Sequence, residues 1–216
     1  MPDASYVPAM GFHWLTRFYD PLVALTLREK AIKGRLIEQA RVAAGHDVLD
    51  VGCGTGTLAL MIAAREPEAR VVGLDGDPAI LAIARRKIEQ AGADVKLVEG
   101  LADDAARFAP GSFDRIVTSF VLHHLTTPQK RAALAAMRAW LRPGGELHVL
   151  DFDGPGTGVW GFVLRALAAA HSHAHTHQEP GASVPELARE VGFAAIVETG
   201  RVSTPFGGAA YWRLAP

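Results

Sequence analysis

The sequence predicts an α/β fold built on a mostly parallel, doubly wound sheet. Strand-like apolar runs alternate with helical patterns from residue 47 to residue 151, which is typical of parallel sheets. The first strand pattern ends at a cluster of three glycines, and the second ends at the acidic residue Asp75. Right-handed crossovers place helices on both faces of such a sheet, and its ligands bind beyond the carboxyl ends of the strands.

Turn and capping residues set the bounds of the predicted elements. Asp77 is suited to cap a helix with Pro78 at its first position, and turns are expected at Gly111-Ser112 and at Pro143-Gly144-Gly145. In chain order we predict helix 28–43, strand 47–51, helix 57–65, strand 70–74, helix 78–91, strand 95–98, strand 113–118, helix 128–141 and strand 146–151.

The two ends of the chain are less regular, and we predict one domain over residues 1–216. Residues 1–44 form an N-terminal helical arm, 45–151 form the ligand-binding core, and 152–216 form a variable region. In the variable region the patterns indicate an apolar helix at 159–170, a second helix at 184–191, and two strands within 194–214.

Composition excludes several classes of protein. The 216 residues include 22 Lys and Arg against 23 Asp and Glu, so there is no basic excess for a nucleic-acid partner. The single cysteine, Cys53, excludes an internal disulfide and a cysteine-rich zinc site. We find no signal peptide and no apolar run long enough to span a bilayer, so we expect a cytoplasmic protein.

The glycine cluster predicts a nucleoside-cofactor site. Gly52, Gly54 and Gly56 follow an apolar strand, so a ligand can lie against bare backbone. A dinucleotide fingerprint needs a further glycine at position 57, where this chain has Thr57. Asp50 precedes the glycines, and its carboxylate suits a ligand with a cationic amino group and repels a pyrophosphate.

The segment from Asp47 to Thr57 resembles motif I of the class I S-adenosylmethionine (SAM) dependent methyltransferases. The resemblance continues through Phe113–Leu125, similar to F-D-x-V-x-x-x-x-x-L-H-H-L, and through the L-x-P-G-G turn at 141–145, and it covers roughly residues 45–150. With Tyr19-Asp20 near the start, the chain most resembles the ubiquinone/menaquinone C-methyltransferase-like group (methyltransferase type 11). The resemblance implies a Rossmann-like sheet of seven strands with the last strand antiparallel, SAM as cofactor, and S-adenosylhomocysteine as product.

The resemblance also implies roles for particular residues. The methionine part of SAM is expected at Asp50 and the glycine turn, the ribose at Asp75, and the adenine beside Leu101. The full set of expected cofactor-binding residues is Tyr19, Asp50, Gly52, Cys53, Gly54, Thr55, Gly56, Asp75, Gly76, Leu101, Ala102 and Ser119. Leu101 departs from the family pattern, which has an acid or amide there to bind the adenine amino group, and Asp103 is the candidate replacement.

Histidines supply the candidate base and a candidate metal site. His123 follows the fourth strand and faces the expected crevice, where it is either a general base or a structural residue. The run containing His171, His173, His175 and His177 has the i, i+4 spacing of metal ligands on a helix. Glu179 is the only acid or cysteine nearby at ligand spacing, which favours a polar lid, a helix end or an acceptor-binding rim instead. We predict no metal.

The sequence therefore predicts methyl transfer from SAM to a small apolar or aromatic acceptor at O, N or C. Two other classes stay open: a non-catalytic SAM-binding or partner-binding module, and a nicotinamide-dependent oxidoreductase. A nucleic-acid methyltransferase is disfavoured because no N/D-P-P-Y/F motif follows the fourth strand, and an arsenic methyltransferase is disfavoured by the single thiol.

Overall fold

The computed structural model describes residues 29–153, 182–204 and 207–216. Its helices and strands in this part of the chain are α1 (Glu29–Ala40), β1 (Asp47–Val51), α2 (Thr57–Arg65), β2 (Arg70–Asp75), α3 (Pro78–Ala91), β3 (Val95–Glu99), β4 (Phe113–Ser119), α4 (Thr127–Trp140), β5 (Leu141–Phe152), α5 (Val184–Glu190), β6 (Ala195–Thr204) and β7 (Gly207–Ala215). Short 3-10 helices occupy Ala105–Arg107 and Leu122–His124.

The strands form one sheet of seven in the order β3-β2-β1-β4-β5-β7-β6. Strands β1 to β5 pair in parallel, whereas β7 lies antiparallel to both β5 and β6. This confirms the predicted mostly parallel sheet and its antiparallel last strand. The strand order reverses between β1 and β4, so the crevice where α/β sheets bind ligands lies at their carboxyl ends.

Capping residues act where the sequence predicts them. Asp77 caps α3 by accepting hydrogen bonds from the backbone N–H groups of Ala79 (2.8 Å) and Ile80 (3.3 Å), with Pro78 in the first turn. Helix α4 begins at Thr127, one residue before the predicted start, because Thr126 forms a capping box with Gln129.

Two predicted boundaries differ from the structure by three residues or more. Helix α1 ends at Ala40 rather than at residue 43, since Arg41 has a left-handed backbone (φ 46°) that a helix does not accommodate. Strand β5 begins at Leu141 rather than at 146, because a bulge opposite Phe113–Arg115 keeps the Pro143-Gly144-Gly145 segment within the strand.

Apolar clusters cover both faces of the sheet and hold its carboxyl edge in place. Strand residues alternate between the faces, so Leu49 packs with α4 and α5 while Val48 packs with α1 and α2. Trp140 is fully buried on the α4 face, and its indole N–H donates to the backbone oxygen of Ala105 (3.1 Å). Each fully buried Val, Leu, Ile, Phe or Met side chain in these clusters contributes about 1.5–3 kcal/mol through the hydrophobic effect.

No helix within the described ranges is both long and apolar enough to cross a bilayer.

Candidate active site

The glycine turn joins β1 to α2, and two of its three glycines differ in what surrounds them. All three have left-handed backbones, with φ values of 69° at Gly52, 55° at Gly54 and 79° at Gly56. A Cβ on Gly52 would lie 2.3 Å from Cγ2 of Val121, so neighbouring protein excludes a side chain there. A Cβ on Gly54 would meet no atom of the described residues within 4 Å. Gly54 therefore faces the open space that a ligand can occupy.

Asp50 is a buried carboxylate that lacks a full set of partners. Its side chain is 1% exposed, and its Oδ2 accepts no hydrogen bond from any described residue. Burial raises the pKa of Asp50 to about 7, and the nearby Asp75 carboxylate adds to this, whereas Lys33 and the backbone N–H of Ala59 oppose it. A cationic ligand group beside Oδ2 would supply the missing partner.

Lys33 on α1 is a basic residue of the site that the sequence reasoning missed. Its side chain is only 13% exposed and forms an i, i+4 ion pair with Glu29. The positive charge of Lys33 lowers the pKa of both Asp50 and Cys53, although burial dominates and raises both values. The signal for Lys33 in the sequence was its i, i+4 spacing from Glu29 on the helix that precedes the glycine turn. Such pairs usually lie on solvated helix faces, so the spacing alone does not predict a site residue.

Asp75 ends β2 and is tied to the glycine turn. Its Oδ2 accepts from the backbone N–H of Gly54 (2.9 Å), and its Oδ1 accepts from that of Asp77 (3.0 Å). Burial raises the pKa of Asp75, and the N–H groups of Asp77, Gly54 and Gly76 partly offset this. The backbone thus fixes the carboxylate, and its remaining lone pairs are available to hydroxyl donors.

The loop after β3 continues the crevice beyond Asp75. The backbone N–H of Gly100 donates to the backbone oxygen of Asp75 (3.0 Å), which places Leu101 and Ala102 beside the β2 terminus. The Leu101 side chain is 47% exposed. Asp104 is engaged, since it accepts from the N–H of Ala106 (3.2 Å) and pairs with Arg107 (3.2 Å).

A histidine–aspartate pair lies beyond β4, on the other side of the crevice. Nδ1 of His123 is 2.7 Å from Oδ1 of Asp151, which is 1% exposed. Asp151 also accepts backbone N–H bonds, from Leu122 and His123 at Oδ2 and from Phe152 at Oδ1. A carboxylate that accepts from Nδ1–H leaves the lone pair of neutral His123 on Nε2, where it can take a proton.

Sequence reasoning found His123 but missed Asp151. In the register of β4 against β5, Ser119 pairs with Leu150, so Asp151 lies one residue further along at the same sheet edge. The position of Asp151 at the carboxyl end of a predicted strand indicated a possible site residue. Its pairing with His123 could not be predicted, because it depends on β4 and β5 being neighbours in the sheet.

Aromatic rings lie beside His123. The His123 ring contacts Phe152 edge-on with centroids 4.8 Å apart, and Phe152 contacts Phe120 at 5.0 Å. Phe120 has a left-handed backbone (φ 56°) and its N–H donates to the oxygen of Leu150 (2.8 Å), so the turn after Ser119 is sharp.

His124 stacks against His123, with ring centroids 3.9 Å apart. Surrounding protein atoms and the His123 charge lower the pKa of His124 to about 4, with Asp151 opposing them. Because the His124 side chain is exposed to solvent, screening by water weakens this effect. Even a weakened effect leaves the pKa of His124 below its ordinary value of 6.5, so His124 is neutral at pH 7.

The remaining sequence predictions fall into two groups. Thr55 and Cys53 are buried in the glycine turn, and Ser119 is half-buried at the end of β4. Tyr19 and the four histidines at 171, 173, 175 and 177 lie outside the described residues. Among the residues that the structure covers, no three His, Cys, Asp or Glu side chains group as metal ligands.

Comparisons with known proteins place this geometry in a family. Residues 48–145 match the family described as "Methyltransferase domain". A demethylmenaquinone methyltransferase of Thermus thermophilus is 41% identical over 131 residues, which cover 61% of this chain and 58% of that protein. A demethylmenaquinone methyltransferase of Listeria monocytogenes is 31% identical over 159 residues, covering 72% and 66%. The chain thus spans somewhat less than two thirds of the length of these relatives.

A solved structure shows the same fold. Phosphoethanolamine N-methyltransferase 2 of Haemonchus contortus, in complex with phosphomonomethylethanolamine and S-adenosylhomocysteine, superposes with a TM-score of 0.72. The match covers 94% of this chain and 48% of that one at 17% identity, so it supports the fold alone. The matched domain, the curated relatives and the sheet order together show that the chain belongs to the class I SAM-dependent methyltransferases, and that it resembles the quinone methyltransferases among them.

Proposed function

We propose that this chain transfers the methyl group of SAM to a small aromatic acceptor that gives up a proton, with a hydroquinone as the acceptor class. The observation that carries the proposal is the contact between His123 and Asp151 at the same sheet edge as the glycine turn. A purely structural module gives no use for a base oriented in this way. The demethylmenaquinone methyltransferase relatives support the acceptor class.

The cofactor assignment is supported by the charges of the site. SAM carries an α-ammonium and an α-carboxylate, and the buried Oδ2 of Asp50 offers the ammonium a partner. Lys33 offers the carboxylate an opposite charge from α1. A pyrophosphate would meet the Asp50 carboxylate instead, which disfavours a dinucleotide.

The nucleoside part is supported by Asp75 and the turn beside it. The carboxylate of Asp75 is fixed by two backbone N–H groups and can accept from the vicinal hydroxyls of a ribose. Gly54 leaves open space for the chain that joins ribose to sulfonium. Cys53, Thr55 and Gly56 complete the turn, and Ser119 is proposed to line the sulfonium side.

Methyl transfer needs positioning and, for a hydroxyl-bearing acceptor, a proton acceptor. Bound SAM supplies an electrophilic methyl group on a sulfonium. His123 takes the acceptor's hydroxyl proton at Nε2, which raises electron density on the oxygen and on the ring carbons conjugated with it. Asp151 stabilises the imidazolium that forms. Phe120 and Phe152 provide an apolar wall against which a flat acceptor can pack.

The test is turnover with a paired set of acceptors. Purified protein is incubated with SAM and either 2-prenyl-1,4-dihydroxynaphthalene or its 1,4-dimethoxy derivative, which has no ionisable hydroxyl. We expect S-adenosylhomocysteine and a methylated product by mass spectrometry from the dihydroxy compound only. His123→Gln should lower the rate about 100-fold or more. Equal rates for wild type and variant would rule out the base, and S-adenosylhomocysteine binding without turnover of any acceptor would favour the non-catalytic module.

A further inference from the structure

We propose that Leu101 leaves the 6-amino edge of the bound adenine without a hydrogen-bond partner, so that the site accepts cofactors alkylated at N6 of the adenine. The inference rests on the proposed function, in which the SAM nucleoside lies on Asp75. It concerns selectivity within that site and names the chemical class that the site admits, N6-alkyl adenosyl compounds.

The position of the adenine follows from the position of the ribose. A ribose held by Asp75 carries its sulfonium side chain towards the glycine turn, because the Asp75 carboxylate is bonded to the N–H of Gly54. The adenine is attached at the opposite side of the sugar ring. That side faces β3, where Glu99 pairs with Asp75 and where Gly100 donates to the Asp75 backbone oxygen. The adenine therefore meets the loop that begins at Leu101.

Leu101 presents an apolar surface at this point. It is 47% exposed, and only Val197 is another large apolar residue of comparable exposure among the described residues. An exposed leucine beside an aromatic base contributes apolar contact, but its side chain has no atom that accepts a hydrogen bond. The exocyclic amino group thus faces apolar atoms and solvent.

Two of the neighbouring polar side chains, those of Asp104 and Arg107, do not replace an acceptor at position 101. Asp104 is occupied by the N–H of Ala106 and by Arg107. The Arg107 guanidinium lies over Gly100, where an added Cβ would be 2.6 Å from Nε, and it has donors only. The Asp103 backbone oxygen accepts from the N–H of Ala105 (3.1 Å), but its side chain has no hydrogen bond or ion pair to the described residues, so that carboxylate is the one alternative side-chain acceptor in this loop.

A site that hydrogen-bonds the adenine amino group and a site lined by leucine differ in their selectivity for N6-alkylated cofactors. A site that hydrogen-bonds an N–H group rejects an analogue lacking it by large factors, because its polar group is left unpaired. A site lined by leucine has no such group to leave unpaired, and an alkyl group on N6 extends past Leu101 into solvent. Alkylation of N6 should then change affinity little.

The experiment is calorimetric titration with S-adenosylhomocysteine and with its N6,N6-dimethyl derivative, which keeps the ring nitrogens but has no N6–H. We expect the two dissociation constants of the wild type to agree within about threefold, whereas Leu101→Asp prefers S-adenosylhomocysteine by about tenfold or more. The matched control Val197→Asn changes the other exposed apolar residue, on β6, and should behave like the wild type.

The remaining outcomes separate this inference from the proposed function. If the wild type rejects the dimethyl derivative by about tenfold or more and Asp103→Ala removes that preference, Asp103 reads the amino group and the inference is overturned while the cofactor site stands. If neither compound binds the wild type, the proposed function fails and the inference fails with it.

Discussion

Nδ1 of His123 lies 2.7 Å from Oδ1 of Asp151, a carboxylate that is buried at the end of β5. The same carboxylate accepts the backbone N–H groups of Leu122 and His123, so it fixes both the ring and the turn that carries the ring. A base oriented in this way can act without rearrangement when an acceptor enters.

We expect Asp151→Asn to lower kcat by about 100-fold or more, since the amide does not stabilise an imidazolium as a carboxylate does. The KM for SAM should change little, because β4 separates β5, which carries Asp151, from β1 and β2. The measurement is steady-state production of S-adenosylhomocysteine at saturating acceptor. His124→Gln is the control, and a loss in that variant as large as in Asp151→Asn would contradict the assignment of the base to His123.

Asp50 makes the stability of the ligand-free protein depend on pH. Its pKa is about 7 in the folded chain, whereas an unfolded aspartate titrates at about 3.9. Between these values the folded protein holds a proton that the unfolded chain has released, so stability falls as pH rises, by roughly 4 kcal/mol in all. We expect Asp50→Asn to have a higher Tm than wild type at pH 8 and a similar Tm at pH 4. Parallel pH profiles in calorimetry would show that folding does not raise the pKa of Asp50.

The same carboxylate couples cofactor binding to proton release. A ligand ammonium beside Oδ2 favours the charged form of Asp50, so binding at pH 6 should release up to about one proton. Titration of S-adenosylhomocysteine in buffers of different ionisation enthalpy measures this number. We expect release to vanish in Asp50→Asn, and wild-type binding without proton release at pH 6 would place the ammonium elsewhere.

Lys33 should recognise the carboxylate of the cofactor. We expect Lys33→Met to weaken S-adenosylhomocysteine binding by about 1.5–3 kcal/mol, the range for charged hydrogen bonds. The decarboxylated analogue should bind wild type and variant equally. Lys30→Met, at an exposed position of the same helix, is the matched control. A loss of affinity for both compounds in Lys33→Met would indicate a structural role.

Alanine substitutions at Gly52 and at Gly54 should have different effects on stability and on cofactor binding. Gly52→Ala places its Cβ 2.3 Å from Val121, so we expect a loss of several kcal/mol in unfolding free energy. Gly54→Ala has open space but a left-handed backbone, so we expect a cost of about 1–2 kcal/mol together with weaker cofactor binding. Chemical denaturation and calorimetric titration separate the two effects. Unchanged cofactor affinity in folded Gly54→Ala would mean that the ligand does not pass over this glycine.

Local signals in the sequence were enough to predict most of the fold. Apolar periodicity together with Asp77, Pro78 and the glycines fixed β1 to β4 and α2 to α3 within a residue or two, because these choices depend on near neighbours. Strand β5 was predicted too short because its bulge depends on pairing with β4.

The site residues that could be predicted are those that lie together in one segment of the chain. Asp50, the glycines and Asp75 sit in or beside turns that the sequence marks. The contact between His123 and Asp151 depends on the β4–β5 register, and the approach of Lys33 depends on how α1 packs against the sheet. Neither relationship can be read from spacing along the chain.

The most direct test of the cofactor site is calorimetric titration of the wild type and of Asp75→Ala with S-adenosylhomocysteine, with NADH as control. We predict that the wild type binds S-adenosylhomocysteine and not NADH, and that Asp75→Ala loses about 1.5–3 kcal/mol of binding free energy. Binding of NADH instead, or an affinity unchanged by Asp75→Ala, would contradict the assignment.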